Sequence, residues 1–229
     1  MNCVIIIVEN DEKYIHYDST VRRLIMSKFD EQILVVNRNT LFDNEENAFN
    51  GFISKDDNRY KNIVKQFSEF QVKRRGDMEE DPSYKQLISY CIIANQGETL
   101  VYKRLTGGGE ERLHGLLSIG VGGHMNDVED VSTIEDKLRI NASRELNEEV
   151  GLTEQDVKNI EIHGLINDDD NEVGKVHIGL VLKVEVDKEK IVNKEADTIE
   201  LNWVENDLLE TMSPYESWSE LIIRDAYGQ

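Results

Sequence analysis

Residues 132–151 constrain the fold of this chain most tightly, because they contain every signal of one amphipathic helix. Ser132 and Glu135 have the S-x-x-E spacing of a capping box, which predicts that the helix begins there. Gly151 stands where a left-handed C-terminal cap is expected, so it predicts the end. Apolar residues recur every four positions in between and predict a stripe that packs on a core, namely Leu138, Ala142, Leu146 and Val150.

A separate face of the same helix is acidic. Glu145, Glu148 and Glu149 are spaced i, i+3 and i+4, which places all three carboxylates on one side of a helix. Such a cluster is self-repulsive unless a cation binds there, and carboxylate oxygens suit Mg²⁺ or Mn²⁺. The alternative is a solvated acidic surface. Arg144 is expected to orient one of these carboxylates, or else to form a weak surface ion pair.

The run from Arg144 to Leu152 reads R-E-L-N-E-E-V-G-L. It resembles the second half of the Nudix box, G-x5-E-x7-R-E-U-x-E-E-x-G-U, in which U is apolar. Nudix enzymes hydrolyse diphosphate linkages in compounds built on a nucleoside diphosphate joined to another group. The resemblance covers roughly residues 85–229, and the layout is similar to bacterial Nudix proteins with an N-terminal extension described only as predicted phosphoesterases. It implies catalytic roles for Glu145, Arg144 and Glu148.

The same resemblance implies that Glu145, Glu148 and Glu149 bind the metal ion. The first half of the box departs from the family pattern. Gly123 matches the starting glycine of the box. The position of the first family Glu is held here by Asp136, which lies thirteen positions after Gly123, whereas the family spacing is six positions. A seven-residue insertion therefore separates the two. Asp136 is the expected substitute ligand, because the capping box would occupy Glu135; alternatively, residues 125–136 are only an acidic surface loop.

Candidate substrate contacts flank the box. Gly122 and Gly123 are expected to let the backbone approach the metal or a phosphate, and a tight turn without a ligand is the alternative. Arg104 and Arg112 flank a glycine loop and are candidates for phosphate binding, although a solvated hairpin tip would look the same. His124 is a further candidate because it adjoins Gly123.

Two acidic segments lie further along the chain. Nudix proteins often add a carboxylate from a downstream loop, and Glu189 and Glu195 are the candidates by position. Residues 168–172, Asp-Asp-Asp-Asn-Glu, lie between two expected strands and are interpreted as a solvated turn rather than a metal loop.

The net charge of −20 argues against nucleic acid polymers and anionic membranes as partners. A small nucleotide or other diphosphate remains compatible, because bound divalent ions and a few local cations can invert the local field. Cys3 and Cys91 lie in apolar runs and are expected to be buried thiols. No signal peptide or transmembrane run is evident, so a cytoplasmic, soluble protein is expected. A homodimer is compatible with the sequence.

Alternating patterns predict mainly strands after residue 83, with two helices. Strands are expected at 3–8, 33–37, 87–94, 99–105, 116–120, 159–166, 175–186 and 198–204, and helices at 18–28, 60–70 and 215–226 besides the acidic one. Residues 95–98 predict a hairpin turn. This order is α/β (α+β), and the Nudix resemblance implies an α/β/α sandwich around a mixed sheet.

Asp81-Pro-Ser83 is the expected domain boundary, since the residue before proline is pushed out of helix. Residues 1–83 are then an N-terminal α/β extension that could pack on the same core. Residues 84–229 form the Nudix-like hydrolase domain.

Three functions are compatible with these patterns. The leading one is a divalent-metal-dependent Nudix-type pyrophosphohydrolase, which uses Mg²⁺ or Mn²⁺ to cleave a phosphoric anhydride in a nucleoside-diphosphate-type molecule. A catalytically weak ligand-binding or sensor module on the same fold is the second, favoured by the altered first half of the box. An enzyme like isopentenyl diphosphate isomerase ranks last, because that chemistry needs a cysteine in the site and Cys91 lies in an apolar strand.

Overall fold

Most of the strands join one ten-stranded mixed sheet. The protein is described by a computed structural model over residues 5–9, 12–16, 28–105, 114–194 and 196–228. In chain order the strands are β1 (Ile5–Glu9), β2 (Glu12–His16), β3 (Gln32–Asn37), β4 (Gly51–Ser54), β5 (Gln71–Arg74), β6 (Tyr84–Asn95), β7 (Glu98–Arg104), β8 (Leu117–Ser118), β9 (Gly120–His124), β10 (Val157–Asn167), β11 (His177–Val186) and β12 (Ile199–Glu205). β1 and β2 form a separate two-stranded sheet.

The helices are mostly short. They are α1 (Arg38–Leu41), α2 (Asn58–Gln66), α3 (Arg75–Met78), α4 (Ile134–Val150), α5 (Glu172–Lys175) and α6 (Ser217–Ile222). A π-helical turn, Ile223–Tyr227, continues α6, so the two together correspond to the helix predicted at 215–226. Within the described part of the chain, no helix is long and apolar enough to cross a membrane.

β6 organises the sheet. The main path runs β12-β7-β6-β11-β10-β4. β6 pairs in parallel with β11 and antiparallel with β3, β7 and β9. Eleven of its twelve residues are buried, as expected for a strand covered on both faces. Because β9 lies beside β6, the glycines at the start of the box are held against the middle of the sheet.

Helices cover both faces of this sheet. Leu87, Cys91 and Ile93 of β6 share a core with the apolar stripe of α4, while Tyr90 and Ile92 point to the opposite core. That second core contains Ile222 and Ile223 of the C-terminal helix. Alternation along the strand explains the division, since successive side chains point to opposite faces. The predicted α/β/α sandwich around a mixed sheet is confirmed.

The acidic helix forms as predicted, with one correction at its start. Leu138, Ala142, Leu146 and Val150 are all buried. Gly151 closes the helix with φ of 71° in the left-handed conformation. The N-cap, however, is Thr133, whose hydroxyl oxygen accepts from the Asp136 backbone N–H at 3.2 Å. The predicted capping box of Ser132 and Glu135 is therefore wrong by one residue.

The N-terminal region contains strands that the sequence did not reveal. β4 pairs with β10, and β5 pairs with β3, which itself pairs with β6. Both missed strands have only four residues, so their alternation is too short to be recognised, and pairing with longer neighbours stabilises them. The helix predicted over 60–70 is present as α2 with a following 3-10 turn, Phe67–Glu69. The helix predicted over 18–28 lies outside the described residues except for Lys28.

The other predicted strands, including those at 33–37, 87–94 and 175–186, correspond to strands of the sheet, and the hairpin at 95–98 is formed with positive φ at Gln96 and Gly97.

Residues at the start of the predicted insertion hold the N-terminal extension. Leu34 donates from its backbone N–H to the Met125 carbonyl at 2.8 Å, and Asp127 donates to the Gln32 carbonyl at 2.9 Å. The extension thus contacts the chain next to the end of β9. The boundary near residue 83 stays a prediction.

The acidic turn at 168–172 is not simply solvated. Asp168 is buried, and the Asp169 carboxylate accepts hydrogen bonds from Arg38 and from the fully buried Lys85, the latter at 2.6 Å. The prediction of a solvated turn is wrong for these two residues. Long cationic side chains from distant parts of the chain neutralise Asp169, and no local sequence pattern reveals that pairing.

Candidate active site

The acidic face of α4 opens onto a cavity of about 790 Å³. Glu145, Glu148 and Glu149 line this space together, as their helical spacing predicted. We call it the carboxylate cavity. Other residues predicted for the site also line it, namely Gly122, Gly123, His124, Arg104 and Arg144.

Arg144 is the centre of the hydrogen bonding on this face. Its Nη2 lies 2.7 Å from Glu145 Oε1, and its Nη1 lies 3.2 Å from Glu148 Oε2. Nη2 also donates to the His124 carbonyl oxygen at 3.1 Å. One guanidinium therefore links two carboxylates of α4 to the end of β9. Such contacts would hold the two carboxylates in place, and the orienting role of Arg144 stays a prediction.

Glu145 is the most enclosed of the three carboxylates, with 8% of its surface exposed. Burial raises its pKa, and the charge of Arg144 opposes that rise only in part. Its carboxylate lies directly against Gly123, because a Cβ atom built there would stand 2.2 Å from Glu145 Oε1. Only glycine leaves room for this carboxylate beside β9. Glu148, by contrast, has a side chain that is 58% exposed.

Gly122 is required for a different reason. A Cβ atom at this position would lie 2.7 Å from the backbone oxygen of Ser89 on the neighbouring β6. A backbone atom of a buried strand cannot move aside as the end of a side chain can. The glycine pair therefore allows the close packing of β9 on β6 at one position and room for Glu145 at the next.

His124 is half-buried and hydrogen-bonded through its ring. His177 Nδ1 lies 2.6 Å from the Val173 carbonyl oxygen, so Nδ1 carries the proton and its Nε2 accepts. His124 Nε2 lies 3.1 Å from that nitrogen and 2.8 Å from Gln86 Oε1, which makes it the donor. Burial lowers the pKa of both rings. His124 lines the cavity as a neutral imidazole rather than as a cation.

The structure adds residues that sequence reasoning missed. Within the described ranges these are Lys28, Glu31, Arg75, Lys194 and Asp197. Asp197 lies in the loop between β11 and β12, the loop from which a further carboxylate was expected. The predicted Glu195 itself is outside the described residues. No spacing pattern connects Glu31 or Arg75 with the box, so only the tertiary structure reveals them.

The lining combines both signs of charge. Five acidic and five basic side chains of the described residues border the cavity. The whole chain has 26 Lys and Arg against 46 Asp and Glu, so basic residues are concentrated here. This local balance differs from the −20 net charge, so the cavity repels an anionic ligand less than the molecule as a whole does.

Other predicted residues lie elsewhere. Asp136 is on the first turn of α4, where its exposed carboxylate accepts from the Thr133 hydroxyl at 2.7 Å, and it does not line the cavity. Glu189 is exposed on the turn after β11 and also lies away from it. Arg112 falls on residues 106–113, outside the described part. Asp136 and Glu189 are not included in the proposal below.

A second cavity of about 580 Å³ adjoins the first. The two share Ile88, Arg104 and Gly122 as lining residues. The second, which we call the aromatic cavity, is bordered by the rings of Tyr90, Tyr102, Tyr215 and Trp218. Arg104 thus stands between a charged compartment and an aromatic one.

By donor type, the α4 carboxylates fit a hard divalent cation, which prefers oxygen ligands. The room that Gly123 leaves for Glu145 is consistent with such a site. In the described residues no three His, Cys, Asp or Glu side chains converge closely enough to hold one ion. Two of the three carboxylates, Glu145 and Glu148, are instead paired with the Arg144 guanidinium.

Comparison with known proteins agrees with the fold and the box. No protein-family model matches the sequence. Protein YmaB of Bacillus subtilis (strain 168) is 41% identical over 203 residues, which cover 86% of this chain and 98% of YmaB. The crystal structure of Tm1382, a candidate Nudix hydrolase, matches with a TM-score of 0.69 at 28% identity, over 84% of this chain and 96% of Tm1382.

The Tm1382 likeness, together with the residues of the box, defines the class of protein. The chain belongs to the Nudix hydrolase family. YmaB is a relative of this chain. The resemblance inferred from Arg144 to Leu152 is thereby confirmed. A MutT Nudix hydrolase from Burkholderia pseudomallei also matches, at 18% identity with a TM-score of 0.46, over 62% of this chain and 98% of that one.

Proposed function

We propose that this protein is a divalent-metal-dependent pyrophosphohydrolase that cleaves the phosphoric anhydride of a small, nucleoside-diphosphate-type molecule. One observation carries the proposal. The Nudix-box face of α4 borders a cavity that also collects five basic side chains in a protein of net charge −20. Carboxylates for an ion and cations for phosphates therefore meet in one place.

In this proposal Glu145, Glu148 and Glu149 hold the ion, Mg²⁺ or Mn²⁺. When bound, such an ion supplies charge neutralisation on the phosphates and lowers the pKa of water. Glu145 and Glu148 are the catalytic carboxylates, and Arg144 orients them through the contacts described above. Gly122 and Gly123 keep side-chain atoms away from the reacting group, and Arg104 contacts a phosphate.

The aromatic cavity supports the organic part of the proposed substrate. It shares Arg104 and Gly122 with the carboxylate cavity, so one ligand could extend from one compartment into the other. Tyr102 and Trp218 offer ring surfaces, and planar groups stack favourably on such rings. A nucleobase is a group of this kind.

The test is hydrolysis of a panel of diphosphates, including NADH, ADP-ribose, CoA and dinucleoside polyphosphates, with Mg²⁺ or Mn²⁺. Release of nucleotide or phosphate is the readout. We expect turnover with at least one compound and its abolition by EDTA. Turnover that is undiminished in EDTA would exclude the metal assignment, and no turnover of any compound with either ion would exclude the hydrolase.

A sensor that binds such a ligand without cleaving it is the second candidate. The altered first half of the box favours it, because Asp136, the expected substitute for the family Glu, lies on the first turn of α4 and does not line the cavity. Tight binding of a panel compound that is recovered intact would support this alternative. The isomerase receives no support from Cys91, which is fully buried and whose pKa is raised by that burial.

A further inference from the structure

The N-terminal extension builds part of the carboxylate cavity. Glu31 and Arg75, which are separated by more than forty positions, both line it. Hydrogen bonds between β3 and residues 125–127 place Glu31 next to the end of β9. The Arg75 backbone N–H donates to the Glu31 carbonyl at 2.9 Å, which fixes the start of α3 beside it. Backbone contacts, and not only side chains, therefore set the position of this wall.

The Arg75 guanidinium is held from two sides. Its Nη1 lies 3.1 Å from Glu31 Oε2, and its Nε lies 2.9 Å from Glu79 Oε1. Its side chain is 23% exposed, and its Nη2 donates no hydrogen bond to any residue in the described part of the chain. An arginine anchored through two nitrogens loses little conformational freedom when an anion binds to the third.

Arg75 differs from Arg144 in what it can offer a ligand. Arg144 is bound to Glu145, Glu148 and the His124 carbonyl, so its donors serve the protein. We propose that Arg75 binds a phosphate group of the substrate, so that the N-terminal extension is part of the active site. The inference rests on the proposed function in one respect, namely that the ligand carries a diphosphate.

The experiment measures binding of methylenediphosphonate, a diphosphate analogue with a bridge that cannot be hydrolysed. Calorimetry in Mg²⁺ compares the full-length parent with Arg75→Gln and with Arg74→Gln. Arg74 is the matched control, because it adjoins Arg75 and also pairs with two carboxylates, Asp30 and Asp77, but does not line the cavity. We expect Kd to rise roughly 10-fold or more for Arg75→Gln, as for loss of a hydrogen bond to a charged group, and to stay unchanged for Arg74→Gln.

A second measurement on the parent protein removes any dependence on how the variants fold. Phenylglyoxal modifies accessible arginines, and mass spectrometry locates the modified residues. We expect methylenediphosphonate to protect Arg75 and to leave Arg74 as reactive as before. Equal modification of Arg75 with and without the analogue, an unchanged Kd in Arg75→Gln, or no binding by the parent would each overturn the inference.

These outcomes are separable from those of the proposed function. A parent that hydrolyses a diphosphate while Arg75→Gln keeps the same Kd and KM contradicts the role of Arg75 alone. A parent that binds the analogue through Arg75 but cleaves no diphosphate contradicts the hydrolase alone.

Discussion

At the scale of single residues, Arg144 and its two carboxylate partners show how a self-repulsive helix face is tolerated. Glu145 and Glu148 both contact the same guanidinium, so part of the negative charge is balanced within the helix. The pair of Arg144 with the exposed Glu148 is of the i, i+4 type, which contributes only a few tenths of a kcal/mol. Because that contribution is small, we expect Glu148 to be exchangeable for a neutral residue without loss of folding, so that its chemical role is measurable.

We expect Glu148→Gln and Glu149→Gln each to lower kcat/KM by roughly 10²–10⁴, the range for loss of a catalytic group. The free energy of unfolding should hold or rise slightly, because repulsion on the face decreases. Glu135→Gln is the control, since Glu135 is exposed on the first turn of the same helix and lies away from the cavity. If activity falls only in proportion to folded protein, the carboxylates are structural.

Gly123→Ala tests the fit between β9 and Glu145. The added methyl group would displace the Glu145 carboxylate, which is the end of a flexible side chain, so the protein should still fold. We expect roughly 100-fold loss of kcat/KM, as for a catalytic group moved by about an ångström. In a Glu145→Gln background, the same change should add little. Independent, multiplicative losses in the double variant would show that Gly123 acts without Glu145.

At the scale of elements, α4 both packs on the core and presents the carboxylates to the cavity, and a cap fixes each of its ends. Its stripe of apolar residues packs on the core that also contains Leu87 and Cys91 of β6. That packing fixes the rotation of the helix, and rotation decides where the carboxylates point. Thr133 at the start and Gly151 at the end then set its length.

We expect Thr133→Ala to lower the free energy of unfolding by about 1 kcal/mol, because the Asp136 backbone N–H loses its acceptor. Ser132→Ala should change it little, since Ser132 precedes the cap. Urea denaturation of both variants measures the difference. A larger loss in Ser132→Ala would restore the capping box predicted from the sequence.

At the scale of the whole molecule, the connection between β10 and β11 is tied to two distant parts of the chain. Asp169 accepts from Arg38, just after β3, and from Lys85 at the start of β6. Burial opposes ionisation of Asp169, but the hydrogen bonds from Arg38 and Lys85 outweigh it and lower its pKa to about 2. Burial in turn lowers the pKa of Lys85 to about 8.

This pairing predicts a dependence of stability on pH. A carboxyl whose pKa is lower in the folded state stabilises it above the unfolded pKa, and the effect is lost as pH falls between 3.8 and about 2. With allowance for solvent screening, we expect Asp169→Asn to cost about 1–2 kcal/mol or more near neutral pH. The difference from the parent should shrink toward pH 2, as measured by urea denaturation across pH.

Glu172→Gln is the control for this series, because Glu172 is nearly fully exposed and its ion pair is with the nearby Lys175. Its unfolding free energy should follow that of the parent at every pH. A constant difference between the parent and Asp169→Asn from neutral pH down to pH 2 would contradict the assigned pairing.

The sequence by itself determined the parts of this protein that depend on local spacing. The 3.6-residue period of α4 placed Glu145, Glu148 and Glu149 on one face, and alternation after residue 83 predicted most of the strands. That these strands form a mixed sheet was implied by the Nudix resemblance. Helical and strand periods act over a few residues, so one segment is enough to recognise them. The Nudix family followed from nine consecutive residues.

Only the tertiary structure decided which distant residues meet. Strand pairing between β3 and β6 brought Glu31 and Arg75 to the carboxylate cavity, although neither belongs to a recognisable pattern. The same long-range contacts paired Asp169 with Arg38 and Lys85. Asp136 lies at the start of α4, about nine residues from Glu145. Because each residue adds about 1.5 Å to the length of a helix, the two residues are well separated along it. Contacts between remote segments depend on packing of the whole chain, which no local window contains.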